Sequence, residues 1–356
     1  MRIFAAILRE PTAVPRSYQL NGLGKARVDL EAIEKYVAEA WQRITTMREA
    51  HPVVGWQAVF LAPEYYFSNQ RNLNDRFYSH DVKRFILQGL AGLAKKYPKL
   101  LIVPGTVLWT KDVADTLTDG TKKTNLKRLE KVIKRSELAH QRFKTNIFSQ
   151  GWNHTGDMQS PDVKIAQNIA YVCLGSEMIK YQKVGNYKEV ENEKGNIYFA
   201  PGSIAGRFSV GGVKYGLEIC MDHALGALQT TVPSQGQVHV QLIVSSFVSF
   251  KQRDAAPVTF HSSTHSSDLI AKTDTGEYGK PGEVKGTVTE IINPGTKQVR
   301  FMPGGGGRVA AGFKQNPYKS GPLTVWAVDL DDKKLGINDH GSYKLKDTAL
   351  SAVKGV

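Results

Sequence analysis

Cys220 is the residue of this chain whose position best suits a nucleophile. It ends the apolar run Val213–Ile219, which follows a turn signal at Gly211-Gly212 and is predicted to be the second strand of a hairpin. Asp222 lies two residues later and is predicted to cap a helix that begins near Ala224. A thiol at such a strand-to-helix turn lies near helix-end N–H groups, which lower a thiol pKa and can bind an oxyanion. The alternative is that Cys220 is a small buried core residue, as free cysteines usually are.

Two other ionisable side chains also follow apolar runs. Glu64 comes after the predicted strand Trp56–Ala62 and stands among aromatic residues, surroundings that raise a carboxyl pKa and suit a general acid or base. Lys183 lies at the end of the predicted strand Met178–Val184. Taken singly, each has an ordinary alternative: a loop glutamate paired with a lysine, and a solvated charge. Cys173 lies inside an apolar strand, so we predict that it is structural.

The elements that must position these residues alternate between strand and helix. Strands are predicted at Ile3–Leu8, Trp56–Ala62 and Leu100–Val107, and helices at Asp29–Arg48 and Val82–Tyr97. The strands are apolar on both faces, which indicates an α/β sheet covered by other layers.

Composition places the chain among soluble globular proteins. Its 356 residues are 41% hydrophobic and 22% charged. Two cysteines do not make a disulfide framework, so we expect a reducing compartment and a cytoplasmic location. No apolar run approaches the roughly 18 residues of a membrane helix. No His/Cys cluster has metal-ligand spacing and no phosphate-loop spacing is present, so we expect neither a metal nor a cofactor.

Part of the net charge of +14 lies in the lysine-rich segment Thr121–Lys144. Leu126, Leu129 and Ile133 recur there at helical spacing, which predicts a surface helix with one apolar stripe and a basic face. A solvated face is the ordinary interpretation, and a patch for an acidic partner is the alternative. Because no aromatic residues interleave the lysines, we do not expect nucleic acid as a partner.

Further motifs occur in a fixed order along the chain. They are Pro63-Glu64, Tyr181-Gln182-Lys183, Phe199-Ala200-Pro201-Gly202, Gly216–Asp222, the strand Val240–Phe247, Gly286–Pro294 and Leu323–Leu330. Their order and spacing, from about residue 1 to residue 330, resemble the nitrilase superfamily of carbon–nitrogen hydrolases. Each motif alone is weak, whereas the ordered set is specific.

This resemblance implies a four-layer α-β-β-α sandwich and a Glu-Lys-Cys triad. Cys220 would be the nucleophile, and Glu64 would accept its proton and later assist the attack of a water molecule. Lys183 would stabilise the oxyanion together with the backbone N–H of Met221.

Many relatives carry a second glutamate shortly after the lysine. Glu189 and Glu191 both lie within reach of Lys183, and we prefer Glu191. The chain departs from the family pattern after Cys220, where Met221-Asp222-His223 follow without the arginine that many relatives carry a little further on. His223 is close enough in sequence to raise the possibility of a Cys-His dyad with Cys220. We disfavour the dyad, because a residue three positions along at a helix start usually points elsewhere.

The sequence therefore predicts a hydrolase that cleaves a small amide, N-carbamoyl compound or nitrile through a thioester or thioimidate on Cys220. We expect one catalytic domain over residues 1–335, a basic insertion at about 110–167 that forms a helix with flanking loops, and an extension over 336–356. The resemblance also implies a homodimer or higher homo-oligomer, without a membrane partner. Two alternatives stay open: a scaffold that binds an acidic partner through the insertion, and an acyltransferase that replaces water with an amine.

Overall fold

A computed structural model describes residues 1–12, 20–69, 76–120, 122–143, 163–185, 189, 197–202, 206–251, 255–264, 267–272, 288–292, 300–302, 322–339, 343–347 and 350–353. In chain order its strands are β1 (Arg2–Leu8), β2 (Trp56–Leu61), β3 (Leu100–Val103), β4 (Thr106–Asp112), β5 (Ala114–Thr116), β6 (Lys122–Thr124), β7 (Lys164–Leu174), β8 (Glu177–Gln182), β9 (Ile197–Phe199), β10 (Gly206–Val210), β11 (Val213–Ile219), β12 (Val240–Val244), β13 (Val258–Ser262), β14 (Ser267–Lys272), β15 (Val288–Ile292), β16 (Arg300–Met302), β17 (Leu323–Leu330), β18 (Leu345–Asp347) and β19 (Ser351–Ala352). The helices are α1 (Gly22–Ala50), α2 (His80–Lys96), α3 (Leu126–Phe143), α4 (Met221–Leu225), α5 (Val232–Gln235) and α6 (Asp332–Leu335).

Most of the described strands form two large sheets. The first sheet runs in the order β15-β17-β1-β2-β3-β7-β8-β19, with β4 and β9 also paired to β7. The second runs in the order β16-β14-β13-β12-β11-β10-β18, and β5 and β6 form a separate hairpin. The neighbours β1, β2 and β3 are parallel, as are β11, β12 and β13, so the carboxyl ends of these strands lie at one edge of each sheet.

The two sheets pack face to face, and side-chain alternation along β1 shows how. Ile3, Ala5 and Ile7 belong to the apolar core shared with the second sheet. The alternate residues, including Phe4 and Ala6, pack with α1 and α2 in a second core on the outer face. Because both faces are covered, β1 is apolar throughout, which explains why its sequence shows no polar alternation.

Short helices cover the outer face of the second sheet. Leu228, which follows α4, packs with Val238 and Ala256, and its side chain lies over Gly216 of β11. A Cβ added at Gly216 would lie 2.3 Å from the end of the Leu228 side chain, so the glycine allows this side chain to pack directly on the strand. The layers are therefore helix, sheet, sheet, helix, as predicted.

Two predicted elements differ in detail. The run predicted as one strand from Leu100 to Val107 breaks into β3 and β4 at Gly105, whose φ is +80. A Cβ there would lie 2.1 Å from the backbone oxygen of Pro63, so the break follows from a close backbone approach. Helix α1 begins at Gly22 rather than at Asp29.

The basic helix is confirmed as α3, but its apolar stripe is shifted. Leu129 and Val132 are buried, whereas Leu126 is 43% exposed. The stripe packs on Ile165 of β7 in a small apolar cluster. The segment around α3 also contains the β5–β6 hairpin and the end of β4, so it holds more than the helix and loops that we predicted.

The chain's last described residues join both sheets. Strand β18 pairs with β10 in the second sheet, and β19 pairs with β8 in the first. In the part of the chain described here, no helix combines the length and the apolar character needed to cross a membrane.

Candidate active site

Glu64 lies three residues beyond β2, and its side chain is fully buried between the sheets. Its backbone N–H donates to the carbonyl of Ser245, just after β12, over 3.3 Å. Its Oε1 accepts from Asn168 Nδ2 at 2.9 Å and from Lys183 Nζ at 2.8 Å. Glu64 Oε2 is also buried, and no described residue donates a hydrogen bond to it. One oxygen is therefore fixed and the other is available as a proton acceptor.

Lys183 follows β8 directly, and its ammonium group is fully buried. The backbone holds it from both sides, since its N–H donates to the carbonyl of Asn168 at 2.9 Å and its carbonyl accepts from Gly202 at 2.8 Å. Burial alone would lower the pKa of Lys183, but the nearby Glu189 and Glu64 carboxylates outweigh burial and raise it well above its usual value. Lys183 is therefore a permanent cation at neutral pH.

Glu189 is the second carboxylate at this lysine. Its Oε1 accepts from Lys183 Nζ, and also from the Tyr65 hydroxyl at 3.0 Å. Its backbone carbonyl accepts from Arg76 Nε at 3.2 Å. Glu191, which we preferred from the sequence, lies outside the described residues.

Cys220 lies between β11 and α4, at the carboxyl edge of the second sheet. Its φ is +47, and its N–H donates to the carbonyl of Val244 at 2.9 Å. Burial and the negative charge of Glu64 raise the pKa of the thiol, while Lys183 and a hydrogen bond from the Ser246 backbone act to lower it. The predicted lowering of this pKa is wrong, because burial and the charge of Glu64 outweigh the opposing effects of Lys183 and the Ser246 backbone.

The sequence predicts that Asp222 caps a helix beginning near Ala224. This prediction is wrong, because α4 already begins at Met221 and contains Asp222. The buried Asp222 carboxylate instead holds the chain just beyond Lys183. It accepts from the Tyr181 hydroxyl at 2.7 Å, from the Gly185 N–H at 2.7 Å and from the Val184 N–H at 3.1 Å. Asp222 therefore joins the turn that carries Cys220 to the loop that carries the lysine.

His223 is committed to other partners. Its Nδ1 lies 2.8 Å from Glu218 Oε2, and its Nε2 accepts from the Lys251 backbone N–H at 2.8 Å. The ring also stacks on Phe250 with 5.2 Å between centroids. Both ring nitrogens are occupied away from Cys220, which agrees with our rejection of a Cys-His dyad.

Sequence reasoning missed two residues that shape the site. Asn168 orients Glu64, and the only signal for it was the amide pair Gln167-Asn168 inside the largely apolar strand β7. Tyr65 reaches Glu189 from a backbone with φ of +60, and its N–H donates to Thr106 Oγ1 at 2.9 Å. No pattern in the sequence indicated this conformation.

These contacts bring four groups into one buried cluster: a thiol, an ammonium group and two carboxyl groups. They come from the ends of β2, β8 and β11 and from the loop after β8. Chemically, the cluster contains a nucleophile, a proton acceptor beside it and a fixed cation that can stabilise a developing negative charge.

Comparisons with known proteins give matches among solved structures alone. No protein-family model matches the chain, and no curated protein matches it. The chain is similar to the NitN amidase from Nesterenkonia sp. AN1, with 13% identity over 94% of both chains and a TM-score of 0.43. A cysteine-to-alanine variant of that amidase in complex with butyramide matches with 14% identity over 94% of this chain and 93% of that chain, and a TM-score of 0.43.

A glutamine-dependent NAD⁺ synthetase from Acinetobacter baumannii matches with 13% identity over 69% of this chain and 33% of that chain, and a TM-score of 0.36. The solved structures to which this chain is similar thus include amidases of the nitrilase superfamily, the family that its motifs resemble, at low sequence identity.

Proposed function

We propose that this protein hydrolyses a non-peptide carbon–nitrogen bond, with Cys220 as nucleophile, Glu64 as proton acceptor and Lys183 as the oxyanion-binding cation. The observation that carries the proposal is the burial of Lys183, Glu64 and Glu189 together beside the thiol. Removing charged groups from water costs several kcal/mol per ion, and packing alone gives no reason to assemble them there. Charged groups buried next to a thiol are typical of a catalytic site, where they activate the nucleophile and stabilise developing charge.

The first half-reaction begins from a protonated thiol, because burial holds the pKa of Cys220 above its usual value. The sulfur attacks the carbonyl carbon of an amide while its proton moves to Glu64 Oε2. The C–N bond then breaks, Glu64 returns the proton to the leaving nitrogen, and ammonia or an amine departs. An acyl thioester on Cys220 remains.

The second half-reaction uses water. Glu64 takes a proton from the water molecule as its oxygen attacks the thioester, the C–S bond breaks and the proton returns to the thiolate. In both halves, negative charge develops on the former carbonyl oxygen. Lys183 stabilises it, with the backbone N–H of Met221 as second donor, since a first-turn N–H has no partner within its helix.

Glu189 serves as the second glutamate of this mechanism, in place of Glu191. It binds the Lys183 ammonium together with Glu64 and is itself bound by the Tyr65 hydroxyl. The cluster is almost completely buried, with Cys220 only 5% exposed. A small substrate such as an aliphatic amide, an N-carbamoyl compound or a nitrile suits this site better than a peptide chain does.

The test is ammonia release together with intact-protein mass spectrometry on the wild type and on Cys220→Ala. The panel contains butyramide, acrylamide, N-carbamoyl amino acids and aliphatic nitriles. We expect ammonia from the wild type only, and an acyl adduct on Cys220. Equal ammonia release by Cys220→Ala would exclude the proposal. So would a panel without turnover in which Cys220 reacts with iodoacetamide as slowly as the buried Cys173.

Glu64→Gln separates the role of base from that of a mere negative charge. Burial and the charge of Glu64 both raise the pKa of the Cys220 thiol, so the variant's thiol should ionise at lower pH than that of the wild type in a titration followed by ultraviolet absorbance. The variant should nevertheless lose about 10²–10⁴-fold in turnover, the usual contribution of general acid–base catalysis. Unchanged turnover would remove Glu64 from the mechanism.

A further inference from the structure

A second cluster of charged residues lies away from Cys220, on the helix-covered face of the first sheet. It consists of three lysines from three elements: Lys83 in the first turn of α2, Lys111 near the end of β4 and Lys180 in β8.

Strand alternation places these side chains on one face. Lys111 lies two residues after Trp109, and Lys180 two residues after Met178, so each shares the face of that neighbour. Trp109 and Met178 both pack in the core beneath α1 and α2. Lys83 extends from α2 towards this face of the sheet, since its Nζ lies 3.9 Å from the centroid of the Trp109 ring.

Arginines extend this cluster at both ends. Arg84 lies beside Lys83, and Arg128 and Arg135 of α3 lie near Lys111. The α3 arginines reach Lys111 because α3 packs on Ile165, which is the register partner of Lys111 across β4 and β7. The cationic strip, defined as Lys83, Arg84, Lys111, Lys180, Arg128 and Arg135, thus runs from α2 across the sheet to α3.

No described acid lies within ion-pair distance of any residue of the cationic strip. Asp81 is near in sequence, but its side chain is 93% exposed and lies 3.7 Å from His80. Burial and the neighbouring cations Lys180, Lys111 and Arg84 lower the pKa of Lys83 to about 8. Burial, Arg128, Lys180 and Arg135 likewise lower the pKa of Lys111.

Within the cationic strip Lys83 and Lys111 are half-buried, whereas the other members are exposed. Like charges gathered around two half-buried lysines destabilise the folded chain unless an anion joins them. A phosphate group suits such a place, because several ammonium and guanidinium donors can share its oxygens. Trp109 is only 5% exposed, so its ring supports Lys83 and offers no surface on which a base could stack.

We propose that the cationic strip is a binding site for a small phosphorylated anion, centred on Lys83, Lys111 and Lys180. It is separate from the cluster at Cys220 and does not depend on the proposed hydrolysis.

Isothermal titration calorimetry of the full chain with pyrophosphate and with inorganic phosphate tests this, with chloride at matched ionic strength as reference. We expect saturable binding to the wild type. The triple variant Lys83→Gln, Lys111→Gln, Lys180→Gln should bind at least 10-fold more weakly, the loss expected from a single charge-assisted contact. The control variant Lys35→Gln, Lys95→Gln, Lys333→Gln changes the net charge equally at exposed positions and should bind as the wild type does.

A second readout distinguishes this site from general charge attraction. A bound anion raises the lowered pKa of Lys83, so binding at about pH 8.5 should take up protons, measurable as a heat that depends on the buffer. This uptake should shrink in Lys83→Gln. Equal weakening in the two triple variants would overturn the proposal, and so would the absence of saturable binding by the folded wild type. Tight binding of an oligonucleotide without binding of pyrophosphate would overturn it too.

Discussion

Cys220 and Tyr65 have backbone conformations that non-glycine residues rarely adopt, with φ of +47 and +60. Among the described residues they are the only non-glycine ones with positive φ. Each such conformation costs roughly 1–3 kcal/mol and persists only where its surroundings enforce it. Here β12 fixes Cys220 through Val244, and Thr106 fixes Tyr65. Both residues lie at the buried charged cluster. The surrounding fold therefore stabilises two unfavourable backbone conformations that place the Cys220 thiol and the Glu189-binding hydroxyl of Tyr65 in this cluster.

Asp222 is the residue whose ionisation should couple pH to stability. Burial raises its pKa from 3.8 to about 7, although Lys183 and the donors Gly185, Tyr181 and Val184 oppose the shift. The folded chain then retains a proton that the unfolded chain releases. This contribution to stability is complete below about pH 4 and is lost as pH rises through 7. Over that interval it amounts to about 4 kcal/mol at most, since one pKa unit corresponds to about 1.4 kcal/mol.

The measurement is the free energy of unfolding of wild type and Asp222→Asn between pH 4 and pH 8. The variant cannot ionise, so we expect its deficit relative to the wild type to be largest near pH 4 and to shrink towards pH 8. A deficit that grows with pH would mean that Tyr181, Val184 and Gly185 keep the carboxylate ionised in the folded state. At every pH the variant should also turn over more slowly, because Asp222 holds the loop beyond Lys183.

Among the elements, those with continuous apolar runs could be predicted from the sequence, and those set by distant contacts could not. β1, β2, β11 and β17 lie close to the predicted runs because burial on both faces leaves a clear apolar signal. Glu64, Lys183 and Cys220 follow β2, β8 and β11, and the sequence likewise predicted each of them to follow an apolar run. Three features of the site could not be predicted: the direction of the Cys220 pKa shift, the contacts of Asp222, and the hydrogen bond from Asn168 to Glu64. Each depends on packing between residues far apart in sequence, which no local pattern records.

Close packing against the backbone of Gln182 explains why a glycine occupies position 202. A Cβ at Gly202 would lie 2.1 Å from the backbone oxygen of Gln182, and the Gly202 N–H donates to the carbonyl of Lys183. Gly202→Ala must therefore push the lysine-bearing chain aside. We expect a loss of about 1–3 kcal/mol in stability, as for other overpacked sites, and a larger fractional loss of turnover.

Gly92→Ala is the matched control for this substitution. Gly92 lies inside α2, and no atom lies within 4 Å of the position that a Cβ would occupy. It should stabilise the chain by up to about 1 kcal/mol through helix propensity and leave turnover unchanged. Chemical denaturation and the ammonia assay measure both effects. A Gly202→Ala variant as stable and active as Gly92→Ala would show that the approach to Gln182 does not position the lysine.

For the molecule as a whole, the segment after residue 336 links the two sheets. Strand β18 extends the second sheet at β10, and β19 extends the first at β8, the strand that precedes Lys183. Leu350, between these two short strands, is 6% exposed and belongs to the apolar core between the sheets. The catalytic domain that we propose therefore needs this segment for its core and for the cover of two sheet edges, which would otherwise be open to pairing with other chains.

Leu350→Ala tests this dependence without removing the segment. Loss of a buried leucine side chain leaves a cavity and should lower the free energy of unfolding by about 2–5 kcal/mol. Val54→Ala, at a side chain that is 101% exposed, is the control and should change stability by no more than about 0.5 kcal/mol. Chemical denaturation of both variants provides the comparison. If Leu350→Ala lowered the free energy of unfolding as little as the control does, the segment would merely lie on a core that is complete without it. The expected decrease would show that the sandwich and its last residues unfold as one cooperative unit.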